Sequence, residues 1–253
     1  MHVLIAGDSH TGALERGRAL LDAQGALPPG IDWRIVPLGT GGRMNQPFWT
    51  RRQGPAGAYA EILDETYRAH LARLPPDDPA PDVVGLSMPL WTGRVIRGLV
   101  RSEMLPYGVD GPGRPISRAL LRKLVHDDQR YILELAALLH DQGLPVFAIE
   151  PPGIFHDNRF LLQIGAGTVL ALWRDIRALM LEAVTGIGLE VLELPASMVD
   201  EDGFMRSTYR HEDPSDRHHA NAAFGAEMIV LAGDLARRMA AGPDTRTTAG
   251  AGR

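Results

Sequence analysis

Val3-Leu4-Ile5-Ala6 is an unbroken apolar run that stops at Gly7, and the polar quartet Asp8-Ser9-His10-Thr11 follows it. Ala13-Leu14-Glu15-Arg16 then opens a helical pattern, so the first two dozen residues predict a buried strand, a tight turn and a helix from about Thr11 to Gln24. After a Pro/Gly loop at 27–30, Ile31 to Val36 alternates as a second strand and ends in the glycine-rich turn 39–45. Ile62, Leu63, Tyr67 and Leu71 mark a helical stripe over Ala58 to Leu74. A proline-rich linker (75–81) leads to a third strand over 82–88, whose continuous apolar run suits a strand covered on both faces.

From Pro89 to Pro115 no periodicity is visible, and the stretch reads as a long loop of the kind that forms lids or binding segments. Ser117 is placed to cap a helix reaching about Gln142, with Gly143 as its stop. Val146 to Ile149 is a fourth strand, Thr168 to Thr185 an amphipathic helix and Leu189 to Leu194 a fifth strand. A polar loop (195–219) precedes a last helix from about Ala220 to Met239. Strand and helix alternate five times, with connections that permit parallel neighbours only, which predicts a three-layer, doubly wound α/β fold. Residues 1–240 are expected to form a single domain, and the small, polar stretch 241–253 a disordered tail.

Composition narrows the chemistry. The 253 residues carry a net charge of -5 and no basic block, which argues against a nucleic-acid partner. With no cysteine, thiol nucleophiles, thiolate zinc sites and disulfides are excluded. The one lysine, Lys123, stands in a helical context without glycine, so neither a Schiff base nor a P-loop is expected. No apolar run approaches the ~20 residues of a membrane span. The first strand starts too early for a cleavable signal, so the expected location is cytoplasmic.

Ser9 is the residue to which the rest must answer, because ligands of open α/β sheets gather at the carboxyl edge of the strands. A serine nucleophile needs a base, and the base needs a partner that fixes its tautomer. Asp216 and His219 stand three apart at the entrance to the last helix, which follows strand five and so lies at the same edge. The alternative is that Asp216 merely caps the helix and the histidines are solvated.

Gly7-Asp8-Ser9, Gly42 after the second strand and Asp216-x-x-His219-x-Asn221 together resemble the GDSL, or SGNH, hydrolase superfamily of serine esterases and acylhydrolases. The resemblance runs the length of the chain in element order and implies a five-stranded parallel sheet in flavodoxin-like order. It implies Ser9 as nucleophile, His219 as general base and Asp216 as its orienter, with the amides of Ser9 and Gly42 as oxyanion donors. No metal or organic cofactor is implied, and the expected partner is a small-molecule ester of a sugar, lipid or metabolite.

The chain departs from the family at the end of strand three, where a Gly-x-Asn-Asp block supplies a third oxyanion donor. Here it reads Ser87-Met88-Pro89-Leu90-Trp91-Thr92-Gly93. Losing one such donor typically costs ~2.7–4 kcal/mol of transition-state stabilisation. Asn45, in the Gly42 loop, is the first substitute to consider and Thr92 the second, while Trp91 and Tyr107 are candidates to line a substrate pocket. Acyl transfer to an alcohol, or ligand binding without catalysis, are the other functions such a scaffold would support. Asp8-x-His10 also resembles the opening of calcineurin-like metallophosphoesterases, but the later metal-binding elements of that family are missing. Glu150, at the end of strand four, is expected to pair with Arg43 or Arg94.

Overall fold

The computed structural model describes residues 1–242, so most of the predicted tail lies outside the described residues. Along the chain run β1 (His2–Gly7), α1 (Thr11–Ala23), β2 (Asp32–Pro37), β3 (Trp49–Gly54), β4 (Gly57–Ile62) and α2 (Glu65–Arg68). Then come β5 (Arg73–Leu74), β6 (Val83–Ser87), α3 (Gly93–Arg101), β7 (Met104–Pro106), β8 (Arg114–Ile116) and α4 (Arg118–Asp141). The chain continues through β9 (Val146–Ile149), α5 (Leu161–Ile164), α6 (Ala166–Gly186), β10 (Glu190–Leu192) and α7 (Ala222–Ala240).

Five strands form a parallel sheet in the order β10-β9-β6-β1-β2, the flavodoxin-like order that the sequence predicts. Successive side chains of β1 point to opposite faces, as strand geometry requires. Val3 and Ile5 pack with α1 and α7, whereas Leu4 and Ala6 pack with α3, α4 and α6. Both faces are therefore covered, which is why these strands read as continuous apolar runs.

Two stretches differ from expectation. Residues 58–74 are not a helix: β3 and β4 form an antiparallel hairpin, and β5 pairs with β4. Gly54 faces Gly57 across Pro55-Ala56, and Gly57 has φ +122°, a left-handed backbone that a tight hairpin turn uses. Ala58, Ala60 and Ile62 alternate into the core with period two, while Leu63, a member of the supposed helical stripe, is exposed. The β2-to-β6 connection thus passes through a small antiparallel sheet.

The supposed loop 89–115 holds α3 and the short parallel pair β7–β8. The helix escaped notice because Arg94 sits on its inward face among Val95, Ile96 and Leu99. Arg94 is buried there because Asp128 of α4 accepts from its Nε and Nη2, at 3.0 and 2.8 Å, so the charge is paired. Elsewhere the element limits agree closely; Ser117 Oγ accepts from Leu120 N at 3.2 Å and starts α4.

Candidate active site

The turn after β1 is bent by its own side chains. Asp8 is fully buried, and one carboxylate oxygen accepts from the His10 backbone N–H at 3.0 Å and lies 2.8 Å from His10 Nδ1. Asp8 is therefore more than a turn former; it fixes the His10 ring. Burial opposes ionisation of Asp8, but its bonds to His10 and the charge of Arg94 hold its pKa below the ordinary range. Gly41, in the turn after β2, packs directly on this carboxylate; a Cβ there would lie 2.8 Å from Asp8 Oδ2 and 3.0 Å from Trp91.

Ser9 follows at the mouth of α1, half-buried. Its hydroxyl meets a ring that arrives from the far end of the chain: His219 Nε2 lies 2.8 Å from Ser9 Oγ. His219 Nδ1 lies 2.7 Å from Asp216 Oδ2, and Asp216 Oδ1 also accepts the backbone N–H groups of His219 (3.0 Å) and His218 (3.2 Å). A carboxylate only accepts, so Nδ1 carries the ring proton and Nε2 is left to accept from Ser9. Asn221, two residues on, caps α7 through Ala223 N and Phe224 N and donates to Thr208 O.

The electrostatics suit that arrangement. Burial opposes ionisation of Asp216, but the hydrogen bonds from His219 and His218 outweigh it and hold the pKa well below the usual carboxylate range. For His219, burial and the neighbouring His10 ring lower the pKa against the pull of Asp216. At neutral pH the ring is therefore a free base beside an ionised partner. A hydroxyl in that position can be deprotonated as it attacks.

Close contact between α1 and α7 brings the two ends of the chain together, and two glycines make it possible. A Cβ on Gly17 would lie 2.1 Å from Ala226 N, and one on Gly225 would lie 1.8 Å from Ala13 O. Arg16 adds a bond from Nη2 to Ala220 O at 2.8 Å, next to His219. Neither glycine nor Arg16 stands out in sequence; a small-residue position on each of two predicted helices is the one signal there was.

Among the described residues, neither the Ser9 N–H nor the Gly42 N–H donates to a protein acceptor. The turn that carries Gly42 is anchored from below, because Arg94 Nη1 donates to Gly41 O. Trp91, Thr92 and His218 line a cleft of about 250 Å³. Thr92 is buried, and its hydroxyl has no protein partner among the described residues. Asn45 is exposed and faces a separate groove with Asp128 and Leu124. Tyr107 lines a different cavity, with Leu121 and Leu179.

The pairing expected for Glu150 is replaced. Glu150 pairs with Arg177, not with Arg43 or Arg94, and also accepts from Leu194 N at 2.9 Å. His156 pairs with Asp200 at 2.7 Å, and Asp157 pairs with Arg210.

No protein-family model matches the chain, and no curated protein matches it in sequence. Among solved structures it is similar to a protein of the G-D-S-L family from Desulfitobacterium hafniense DCB-2. The two are 11% identical with a TM-score of 0.50, over 92% of this chain and 98% of that one. A carbohydrate acetylesterase family member from Sinorhizobium meliloti is 12% identical (TM-score 0.48, 95% and 100% covered). An acetyl xylan esterase is 14% identical (TM-score 0.47, 93% and 99% covered). With a flavodoxin-like parallel sheet that matches the G-D-S-L structure almost end to end, the chain has the fold of the SGNH hydrolases.

Proposed function

We propose that the protein is a serine hydrolase of carboxylic esters. The observation that carries this reading is the continuous hydrogen-bonded chain Ser9 Oγ–His219–Asp216 at the carboxyl edge of the sheet. His219 Nε2 takes the hydroxyl proton as Ser9 Oγ bonds to the acyl carbonyl carbon. Asp216 holds the ring in the required tautomer and balances the imidazolium that forms. The unpaired amides of Ser9 and Gly42 stabilise the oxyanion, with the Thr92 hydroxyl as the third donor in place of the family asparagine. On collapse, His219 returns the proton to the leaving alkoxide. Water, activated by the same ring, then attacks the acyl-enzyme and releases the acid.

Release of 4-nitrophenol from short-chain esters tests this. Replacing Ser9 or His219 by Ala should lower kcat by on the order of 10⁴–10⁶. A fluorophosphonate should label Ser9 of the wild-type protein, as read by peptide mass spectrometry. Equal residual rates in wild type and both variants, with no label on Ser9, would sink the reading.

A further inference from the structure

The cleft beside the triad is lined by three guanidinium groups. Arg97 reaches it from α3, Arg159 from the segment after β9, and Arg217 from the loop that carries Asp216 and His219. Among the described residues none of the three forms an ion pair or a side-chain hydrogen bond, although the chain is acidic overall and eleven other arginines form ion pairs. Arg97 Nε is buried without any partner. Burial, and then the charges of Arg159, Arg101 and Arg94, push its pKa down, so the Arg97 charge is costly when nothing answers it. Asn158 shares the cleft, and its Oδ1 accepts from Phe160 N at 3.0 Å.

The cleft adjoins the Ser9–His219 pair through His218. His218 lines it, and its ring centroid lies 3.9 Å from that of His219. Trp91 also lines it, with its ring centroid 6.3 Å from that of His218. A neutral acyl or sugar group would leave the buried Nε of Arg97 unmatched, beside the two exposed cations Arg159 and Arg217. An anion would satisfy them with charge-assisted, fork-like bonds of the kind arginine makes to carboxylate and phosphate.

Building on the assignment of Ser9 as nucleophile, we infer that the ester cleaved here carries an anionic group, a carboxylate or a phosphate, which Arg97, Arg159 and Arg217 bind next to the ester carbonyl. The arginines select the substrate, and the triad acts on the neutral ester bond at its other end.

Calorimetry with succinate and with inorganic phosphate tests this on the Ser9→Ala protein, where no turnover occurs. One or both should bind, more weakly as salt rises. Arg97→Gln should weaken binding by roughly tenfold, as expected for loss of a charge-assisted contact. Arg159→Gln, at an exposed position that leaves the core untouched, should act in the same direction, and thermal melting checks that both variants fold. The anion that binds tighter identifies the group the substrate carries. The same anion should slow fluorophosphonate labelling of wild-type Ser9. No binding, binding indifferent to Arg97 and Arg159, or binding that leaves labelling unaffected would overturn the inference. Labelling of Ser9 without anion binding leaves the hydrolase standing and removes the anionic substrate. Arginine-dependent anion binding without labelling leaves an anion site and removes the ester hydrolase, and with it the anionic ester substrate.

Discussion

In the proposed mechanism Asp216 and His219 divide one job between them, and their surroundings set the pH range in which it can be done. His219 must be neutral to accept the Ser9 proton, and burial together with His10 keeps its pKa below the ordinary 6.5. kcat/KM should therefore fall only as the pH drops through a midpoint below 6.5, with no gain between pH 7 and 8; a midpoint above 7 would contradict the assignment. The proposed third oxyanion donor is tested in the same way. Thr92→Val removes a hydroxyl and keeps the shape, and should lower kcat by on the order of 10²-fold. Asn45→Ala, which changes a side chain in the separate groove, should stay close to wild type. Ser9, Asp216 and His219 were legible in the sequence because a serine turn at one end and an Asp-x-x-His at the other are local patterns. The choice between Asn45 and Thr92 was not, because it depends on which loop closes over the serine.

Helix packing determines whether those residues meet at all. In α1 and α7 the backbones touch at Gly17 and Gly225, and the triad spans the mouths of the two helices. Gly225→Ala would drive a methyl group into Ala13 O, so the helices must separate. Overpacking of this kind typically costs 1–3 kcal/mol. Urea unfolding should show that loss, and kcat should fall more than KM rises because the Ser9–His219 bond lengthens. In α3, Arg94→Leu would leave Asp128 buried without its partner and free the Gly41 carbonyl. Breaking such a pair usually costs 3–5 kcal/mol; an unchanged denaturation midpoint would show that the pair is not structural. The hairpin β3–β4 could be read from its turn, since Gly54-Pro55-Ala56-Gly57 marks a hairpin and the alternation after it has period two. The stripe Ile62-Leu63-Tyr67-Leu71 masked it, because a few apolar residues fit two periods equally well.

At the scale of the whole molecule, acid stability should report on the ring cluster around the triad. Packing against its neighbours, and then the charges of His219 and His10, hold His218 down to about 4. Between pH 6.5 and 4 the unfolded chain therefore binds more protons at this residue than the folded one, so stability falls as pH drops through that window. Tm should decline from pH 6.5 toward 4, and His218→Gln should flatten part of that slope. The sequence alone determined the layer architecture, since strands covered on both faces must be apolar throughout and parallel neighbours need long crossovers. It also pointed to the end of the sheet at which Ser9, Asp216 and His219 meet. Only the tertiary structure decided that three arginines share the adjoining cleft and that Arg94 belongs inside the fold. Each of these depends on contacts between segments far apart in the chain, and hydrophobic periodicity records a residue's face on its own element, not the partner it meets there.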